Sequence, residues 1–473
     1  MHTTGSRERL AREVVGAVLD GDAPATAAEV SGFNTAVTHR PALVVAAEGA
    51  GDVAAAVRHA REVGIPVAVQ ATGHGAADPV DGAVLVTTAR MRGVTVDPHS
   101  RTARVEAGAR WRSVIDAAVP HGLAPLSGSS SGVGVVGYTL GGGMGHLARR
   151  HGFAADHVRA VELVTADGTL RRVTAESDPE LFWAVRGGQA RFGIATAVEF
   201  GLVPVPEFFG GAVLFGPGDV ERVLRAWAEW APAMPEDVTT SVAVLRLPPL
   251  DSVPPPLRGV VSLALRFGLA GPPARGEALL APMRAVAPAL LDTVGPMSYA
   301  AVDGIHMDPT EPMPAVMRGG ILHSLPPAAL DALLGVAGPD VDIPLAMVEL
   351  RLMGGALARP AAVPNAVAGR EGAFSLSVVA PAPPPLRDVA PVVTHGVLRT
   401  LEPWSPGTTL VNFGGHGGEQ ALSRAWTPDV LERLRRVKAA VDPHDTFGGA
   451  LGSAAGSLAG AEVGAELVSG GAR

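Results

Sequence analysis

Residues 127–145 read SGSSSGVGVVGYTLGGGMG, a run in which eight of nineteen residues are glycine and four are serine. Glycine loses more backbone freedom on ordering than any other residue, so this stretch cannot sustain a helix or strand by itself. It is also longer than an ordinary connection between elements. A chain containing it must fold packed structure on either side and hold the run against it as an extended loop. The flanks meet that demand. RWRSVIDAAVPHG between Arg110 and Gly122 has a helical pattern, and VELVTADGTLRRV (161–173) is a hairpin turning at Ala166-Asp167-Gly168.

Upstream, ALVVAAE (42–48), DVAAAVRHAREVG and IPVAVQAT (65–72) form a strand–helix–strand unit. Val53, Val57, Ala60 and Val63 share one helical face, and short β-branched runs lie on either side. Strands are expected at 83–88 and 102–109. DPELFWAVRGG is expected to be a helix capped by Asp178, and IATAVEFGLVPV closes a first domain, residues 1–205. From Pro206 the text changes to proline-interrupted segments with strands at VTTSVAVLRL, VVSLALRF and AMVELRL. This predicts a second α+β domain over 206–404, followed by a C-terminal segment, 405–447, and a small-residue tail, 448–473, expected to be flexible.

Composition narrows the function. The 473 residues are 47% hydrophobic, enough for a large core. A net charge of −8 and pI near 6.0 give no basic excess for nucleic acid. With no cysteine there is no disulfide, thiolate nucleophile or sulfur-ligated metal, and no metal site is expected. Arg7, Glu8, Arg9, Arg12 and Glu13 stand where a signal peptide needs an apolar run, and glycine, proline or charge breaks every apolar stretch. The expectation is a soluble, cytoplasmic protein with no membrane partner; oligomeric state is not legible. The single lysine, Lys438, lies in the charged helical pattern DVLERLRRVKAAV and reads as a solvated face.

Two loops carry the chemical signal. Ala71-Thr72-Gly73-His74-Gly75 puts a glycine-flanked histidine at a strand end, where a backbone can approach a ligand. The 127–145 run supplies amides without bulk, which suits a pyrophosphate. Within it Gly132-x-Gly134-x-x-Gly137 matches a dinucleotide fingerprint, but it follows serines instead of a strand, and Gly141-Gly142-Gly143 interrupts the helix it should open. A nicotinamide-dependent reductase is therefore a minor alternative.

Read together, ATGHG, VGVVGYTLGGGMGHLARRHGFAADHV, LVTADG and DPELFWAVRGG…FGIATAVEF resemble the FAD-binding domain of the vanillyl-alcohol oxidase superfamily. NFGG…RAWTPDVLERLRRVKAAVDPHDTF resembles the end of berberine bridge enzyme-like oxidoreductases. The resemblance runs from about residue 33 to 447. It implies an α+β, two-domain FAD-binding PCMH-type fold with an antiparallel-sheet substrate domain covered by helices. It also implies FAD bonded through His74 alone, because the position where many relatives have a second, cysteinyl link is about Ser130. By the same resemblance Gly73, Gly75, Ser129, Ser130, Gly132, Gly134, Gly137 and Gly141–Gly143 would line the cofactor. Asp156, Gly187, Gly188, Gly193, Ile194 and Asn412 match further signature positions, and Tyr138 would lie near the ribityl chain and N1 and support the charge of reduced flavin.

The implied activity is hydride removal from a C–H of a small alcohol, lactol or amine, in specialised metabolism, with O2 as reoxidant. A dehydrogenase using another acceptor and a flavin-binding protein without turnover are the alternatives. One departure from the family matters here. Sugar-oxidising relatives have tyrosines around the C-terminal asparagine, whereas this chain has Leu410-Val411-Asn412-Phe413, so the phenolic base is missing. Replacement candidates are His416, Glu349 and Arg351 as catalytic groups, with Tyr299, His306, His323 and Phe413 toward substrate. His416, in a glycine run four residues after Asn412, is the first choice because an imidazole titrates near neutrality. Glu349 and Arg351 alternate along AMVELRL, so they share a strand face and could equally be an ion pair.

Overall fold

Short runs of Val, Leu and Ala between turn residues become the strands of the first sheet. In the computed structural model, which describes residues 2–251, 253–415 and 424–448, Leu43–Ala46, Val84–Thr87 and Val67–Gln70 pair in parallel. Ala17–Asp20 is added antiparallel at the edge. The helix Ala50–Val63 buries Val53, Val57 and Ala60 against this sheet and stops at Gly64, whose φ of 74° provides the left-handed cap. The helix His2–Glu13 and the edge strand Ala17–Asp20 are absent from the sequence reading, because neither has a clear apolar period.

A second, antiparallel sheet orders Val94–Asp97, Thr102–Glu106, Ile194–Gly201, Val158–Val164 and Leu170–Val173. Val164 and Ile194 also enter the core of the first sheet, so the two sheets share the helix between them. The helix expected over 110–122 runs only Trp111–Ala118, and Pro120 turns the remainder into a 3-10 turn. Asp178 does cap Pro179–Gly188, accepting from the Leu181 amide at 3.2 Å.

The third sheet is antiparallel and eight-stranded, with path Ala289–Asp292, Phe208–Phe215, Val261–Leu269, Val238–Arg246, Met347–Leu352, Phe374–Pro381 and Ala315–Leu322; Gly295–Met297 pairs beside Phe208–Phe215. Period-2 alternation splits its chemistry. Val242, Val244, Leu265, Phe267, Val348 and Leu350 form one apolar face, covered by Val220–Trp230 and Pro327–Ala337. The other face carries Ser241, Arg266, Glu349 and Arg351. Register puts Ser241 directly across from both Arg266 and Arg351, and Glu349 across from Ala243.

Long arginines hold the first 205 residues to loops and strand ends beside this sheet. Arg149 donates to the carbonyls of Met234, Pro235, Val238 and Met353, and Arg186 donates to those of Val363 and Pro364. Residues after 405 return to the first unit. The helix Pro428–Val441 lies on Pro179–Gly188, with Arg433 paired to Glu180 and 4.0 Å from the Trp183 ring centroid, and the Val67 amide donates to Thr446 O. The 449–473 portion of the expected tail lies outside the described residues, as does His416. Among the described residues no helix is long and apolar enough to cross a membrane.

Candidate active site

The two glycine loops meet, although the expected 127–145 loop contains a short helix, Val135–Leu140, that starts after Gly134 and stops at Gly141. A Cβ placed on Gly134 would stand 3.4 Å from the Thr72 side chain and 3.8 Å from that of Ala71. Gly73, at φ +68°, passes so close to Gly32 that any side chain would overlap the Gly32 backbone, which fixes the loop beside Phe33. Phe33 in turn stacks on the His74 ring, centroids 3.9 Å apart and planes 9° from parallel. His74 Nδ1 is 2.9 Å from Thr72 Oγ1, which leaves Nε2 without a partner among the described residues. Burial, and secondarily the charge of Arg110, pulls the imidazole down to about 4. It is therefore neutral near neutral pH and keeps a lone pair.

Whether FAD fits is decided by what these loops leave over. Among the described residues the amides of Gly73, His74, Gly75, Gly128, Ser129, Ser130 and Gly134 have no acceptor. Cβ atoms at Gly75 and Gly137 would meet nothing within 4 Å. The serine hydroxyls are used internally, Ser129 to Asp308 at 2.6 Å and Ser130 to the Gly132 amide at 3.3 Å. Tyr138 Oη is buried with no partner, and its ring is wedged between Gly128 and Gly143 and set edge-on to Trp111. Free amides from two converging loops, open space at two glycines and an unpaired phenol fit a pyrophosphate and a polar ribityl chain.

Several signature positions do other work. A side chain on Gly141 would overlap Asn412 Oδ1; Asn412 also donates to Tyr138 O at 2.9 Å, so the C-terminal segment is seated on the loop here. Gly142 lies against Val367 and Phe153. Asp156, expected at the cofactor, instead clamps its own segment to Asn365 and Arg370. Its oxygens take Arg370 at 2.6 and 3.2 Å, Asn365 at 2.7 Å and the Phe153 amide at 3.0 Å, leaving no free lone pair directed elsewhere. Gly187, Gly188, Gly193 and Ile194 are likewise packing positions. Gly187 abuts Ala366, Gly188 abuts Phe192 and Leu434, Gly193 at φ +153° abuts Val164 O and Leu163, and Ile194 is fully buried in the first core.

Of the six catalytic and substrate-side candidates with described side chains other than Tyr138, the structure gathers three and disperses three. Tyr299 is sealed in the core, its hydroxyl 3.0 Å from Ser127 Oγ and donating to Pro125 O at 3.2 Å; burial raises its pKa, so it cannot supply a phenolate. His323 is exposed at a strand end, with its amide bonded to Trp404 O. Phe413 is half-buried with Met144, Phe153 and Met353, pressed against Gly319. His306, Glu349 and Arg351 meet in one buried cluster, joined by Ser241, Arg266 and His146.

In that cluster Glu349 Oε1 accepts from Ser241 Oγ and Arg266 Nη1, both at 2.7 Å, and Oε2 accepts from Arg351 Nη2 at 3.0 Å. His306 Nε2 lies 3.2 Å from Glu349 Oε1 and 3.1 Å from Arg351 Nη2. Burial would raise Glu349, but the Arg351 and Arg266 charges outweigh it and hold the carboxyl well below its usual range. Burial, reinforced by Arg266, pushes His306 well below 6.5, and burial with Arg351 takes His146 to about 3. Glu349 is thus ionised and saturated with donors, a poor proton acceptor. Arg351 also donates to Met144 O at 3.4 Å, and Thr239 to His146 O at 2.7 Å, which ties the cluster to the end of the glycine loop. Arg266, Ser241, His146, Phe33 and Thr72 escape sequence reasoning. For Arg266 the available signal was a lone charge at an alternating position in VVSLALRF.

Converging amide-rich loops beside a histidine, facing a polar sheet face, fit a cofactor that carries a pyrophosphate. Residues 41–174 match the model of an FAD binding domain. The chain is similar to FAD-linked oxidoreductases and has the berberine bridge enzyme-like, PCMH-type fold. It is 27% identical over 425 residues to the (R)-6-hydroxynicotine oxidase of Paenarthrobacter nicotinovorans, covering 86% of this chain and 90% of that one. An FAD-dependent monooxygenase of Fusarium proliferatum is 35% identical over 208 residues, 43% of this chain and 40% of the relative, so this match spans less than half of the relative's length. The crystal structure of 6-hydroxy-D-nicotine oxidase from Arthrobacter nicotinovorans superposes with a TM-score of 0.80 at 24% identity, over 92% of this chain and 96% of that one.

Proposed function

We propose that the protein is an FAD-dependent oxidase that takes a hydride from a C–H beside oxygen or nitrogen on a small molecule, with the cofactor bonded through His74. The observation that carries this reading is the meeting of the His74 loop and the 127–145 loop at Thr72 and Gly134, which turns two sets of unpaired amides toward one ligand. When bound, FAD supplies the two-electron acceptor and the route to O2. The chain's own residues do the rest. The amides of Gly73, His74, Gly75, Gly128, Ser129, Ser130 and Gly134 would bind phosphate oxygens, while Phe33 and Thr72 fix the plane and rotation of the neutral His74 ring.

For the proton that leaves with the hydride, His306 replaces the missing phenol. Its Nε2 is held between Glu349 Oε1 and the donating Arg351 guanidinium, and its buried Nδ1 is the ring nitrogen with no protein partner. Glu349 then serves as the fixed negative charge that stabilises a protonated His306, and does not take the proton itself. His416 lies outside the described residues and carries no role here.

Purified protein is expected to stay yellow after acid precipitation, and His74→Ala to lose that colour to the supernatant. Anaerobic mixing with a panel of alcohols, lactols and amines should bleach the flavin, and aerated buffer should restore it rapidly. Sluggish recovery with intact bleaching would replace the oxidase by a dehydrogenase that uses another acceptor. Colour retained by precipitated His74→Ala would remove the covalent assignment.

A further inference from the structure

Arg110 stands at the edge of the amide cradle without a counter-ion. The backbone around it is laced to the second loop. The Trp111 amide donates to Val133 O, that of Arg112 to Ser131 O and that of Val135 to Ala109 O, while Arg110 itself bridges to Gly134. Its side chain turns onto the same loop, where Nη1 donates to Gly132 O at 2.8 Å. A guanidinium has five N–H donors, and the rest of those on Arg110 have no acceptor among the described residues. Carboxylates on neighbouring segments are engaged elsewhere, Asp116 and Asp303 with Arg112, Asp308 with Ser129, and Glu106 with Arg104 and the Gly93 amide.

The charge of this cation reaches the facing loop. Gly134 lies against Thr72, two residues before His74, and the Arg110 charge is felt at the His74 imidazole. Amides alone accept any oxygen, a neutral carbonyl as readily as an anion. A cation among them changes the preference, because charge-assisted hydrogen bonds are about twice as strong as neutral ones. The chain as a whole carries a net charge of −8, so an anion approaches against the overall field and needs a local positive centre. Arg110 is exposed, and a ligand in solvent reaches it without any opening of the core.

We infer that Arg110 is the cation of a diphosphate site, its free N–H groups gripping the FAD pyrophosphate together with the unpaired amides of the two loops. The identity of the ligand rests on the FAD reading above; the anion site does not. Charge then holds the dinucleotide at its diphosphate before any bond to His74 forms, and riboflavin, which has no phosphate, is denied that grip. Bracing of the Gly132 turn is the competing role, and it needs only a neutral donor.

The test uses His74→Ala protein freed of flavin, in which binding is reversible and calorimetry can follow it. Inorganic pyrophosphate and FAD are expected to bind saturably, and Arg110→Gln should weaken each about tenfold through loss of a charged contact. Riboflavin affinity should stay within about twofold. Glutamine keeps a donor for Gly132 O, so a residue that only braced the turn would leave all three affinities unchanged. Arg110→Lys should recover part of the loss, and added salt should narrow the gap between arginine and glutamine. Unchanged FAD affinity in Arg110→Gln, or an equal loss for FAD and riboflavin, overturns the site while leaving the flavin reading intact. Pyrophosphate bound through Arg110 by a protein that takes neither flavin sinks the flavin reading and leaves the anion site standing. Should His74→Ala not fold, Arg110→Gln in the otherwise unaltered chain decides. Its flavin content at limiting FAD should fall severalfold, and full content overturns the site.

Discussion

The rings of Phe33 and His74 lie 3.9 Å apart and 9° from parallel. They are brought together by the passage of Gly73 over Gly32 and by hydrogen bonds from the Phe33 and Asn34 amides to Thr72 O and Gly73 O. Stacking is worth about 1 kcal/mol beyond area, about a fivefold bias toward one ring orientation. In Phe33→Ala, covalent flavin attachment to freshly supplied FAD should therefore slow about fivefold, with Phe33→Tyr restoring it. The readout is the fraction of colour that precipitates with protein over time. An unchanged time course would remove Phe33 from any positioning role.

Asp156 joins the two halves of the molecule through Arg370 and Asn365, at side-chain exposures of 10% for Asp156 and 17% for Arg370. Asp156→Ala leaves a mostly buried guanidinium without its counter-charge and should cost about 2–4 kcal/mol in denaturant unfolding. The folded fraction should keep its normal flavin content. Flavin loss without loss of stability would return Asp156 to the cofactor.

Gly145 illustrates a stricter requirement. Any Cβ there would run into the carbonyl of Ser127, which is backbone and cannot swing aside. Gly145→Ala should destabilise the protein by about 2–3 kcal/mol or prevent its accumulation, as overpacking does. Gly137→Ala, where the space is open to a Cβ, should leave the stability of the unliganded protein within about 0.5 kcal/mol. A comparison of melting midpoints for the two variants checks both statements.

Buried neutral histidines make the fold acid-sensitive. His146 is held down to about 3, so below the ordinary imidazole value of about 6.5 the unfolded chain takes up a proton that the folded chain refuses. Its stabilising contribution is complete above about pH 6.5 and is lost progressively as pH falls toward 3, at about 1.4 kcal/mol per unit. Urea unfolding at about pH 8 and pH 5 should show this loss, reduced in His146→Gln. Equal stability of the wild type at both would contradict it.

Much of the frame was legible because local periodicity is local. Val53, Val57 and Ala60 announced the first helix, and AMVELRL placed Glu349 and Arg351 on one face before any partner was known. What periodicity cannot supply is register between strands distant in sequence. Arg266 reaches Glu349 across 83 positions, and nothing in VVSLALRF specifies that pairing. The glycines failed for a related reason. A glycine in text says that space or a positive φ is needed, not what fills the space. At Gly141 the filler is Asn412, at Gly143 it is Tyr138, and at Gly193 it is the neighbouring strand, whereas at Gly75 and Gly137 the space stays open. Tyr299 stands in no pattern, so its burial against Ser127 left no trace.

The seat of Asn412 on the glycine loop also sets an order of events. The bond to Tyr138 O joins residues 274 positions apart, and the helix that braces the segment ends only at Val441. Closing so long a loop is entropically late, and a ribosome delivers the sequence from the other end. The first 205 residues can therefore be made, and their sheets begun, well before the glycine loop receives Asn412.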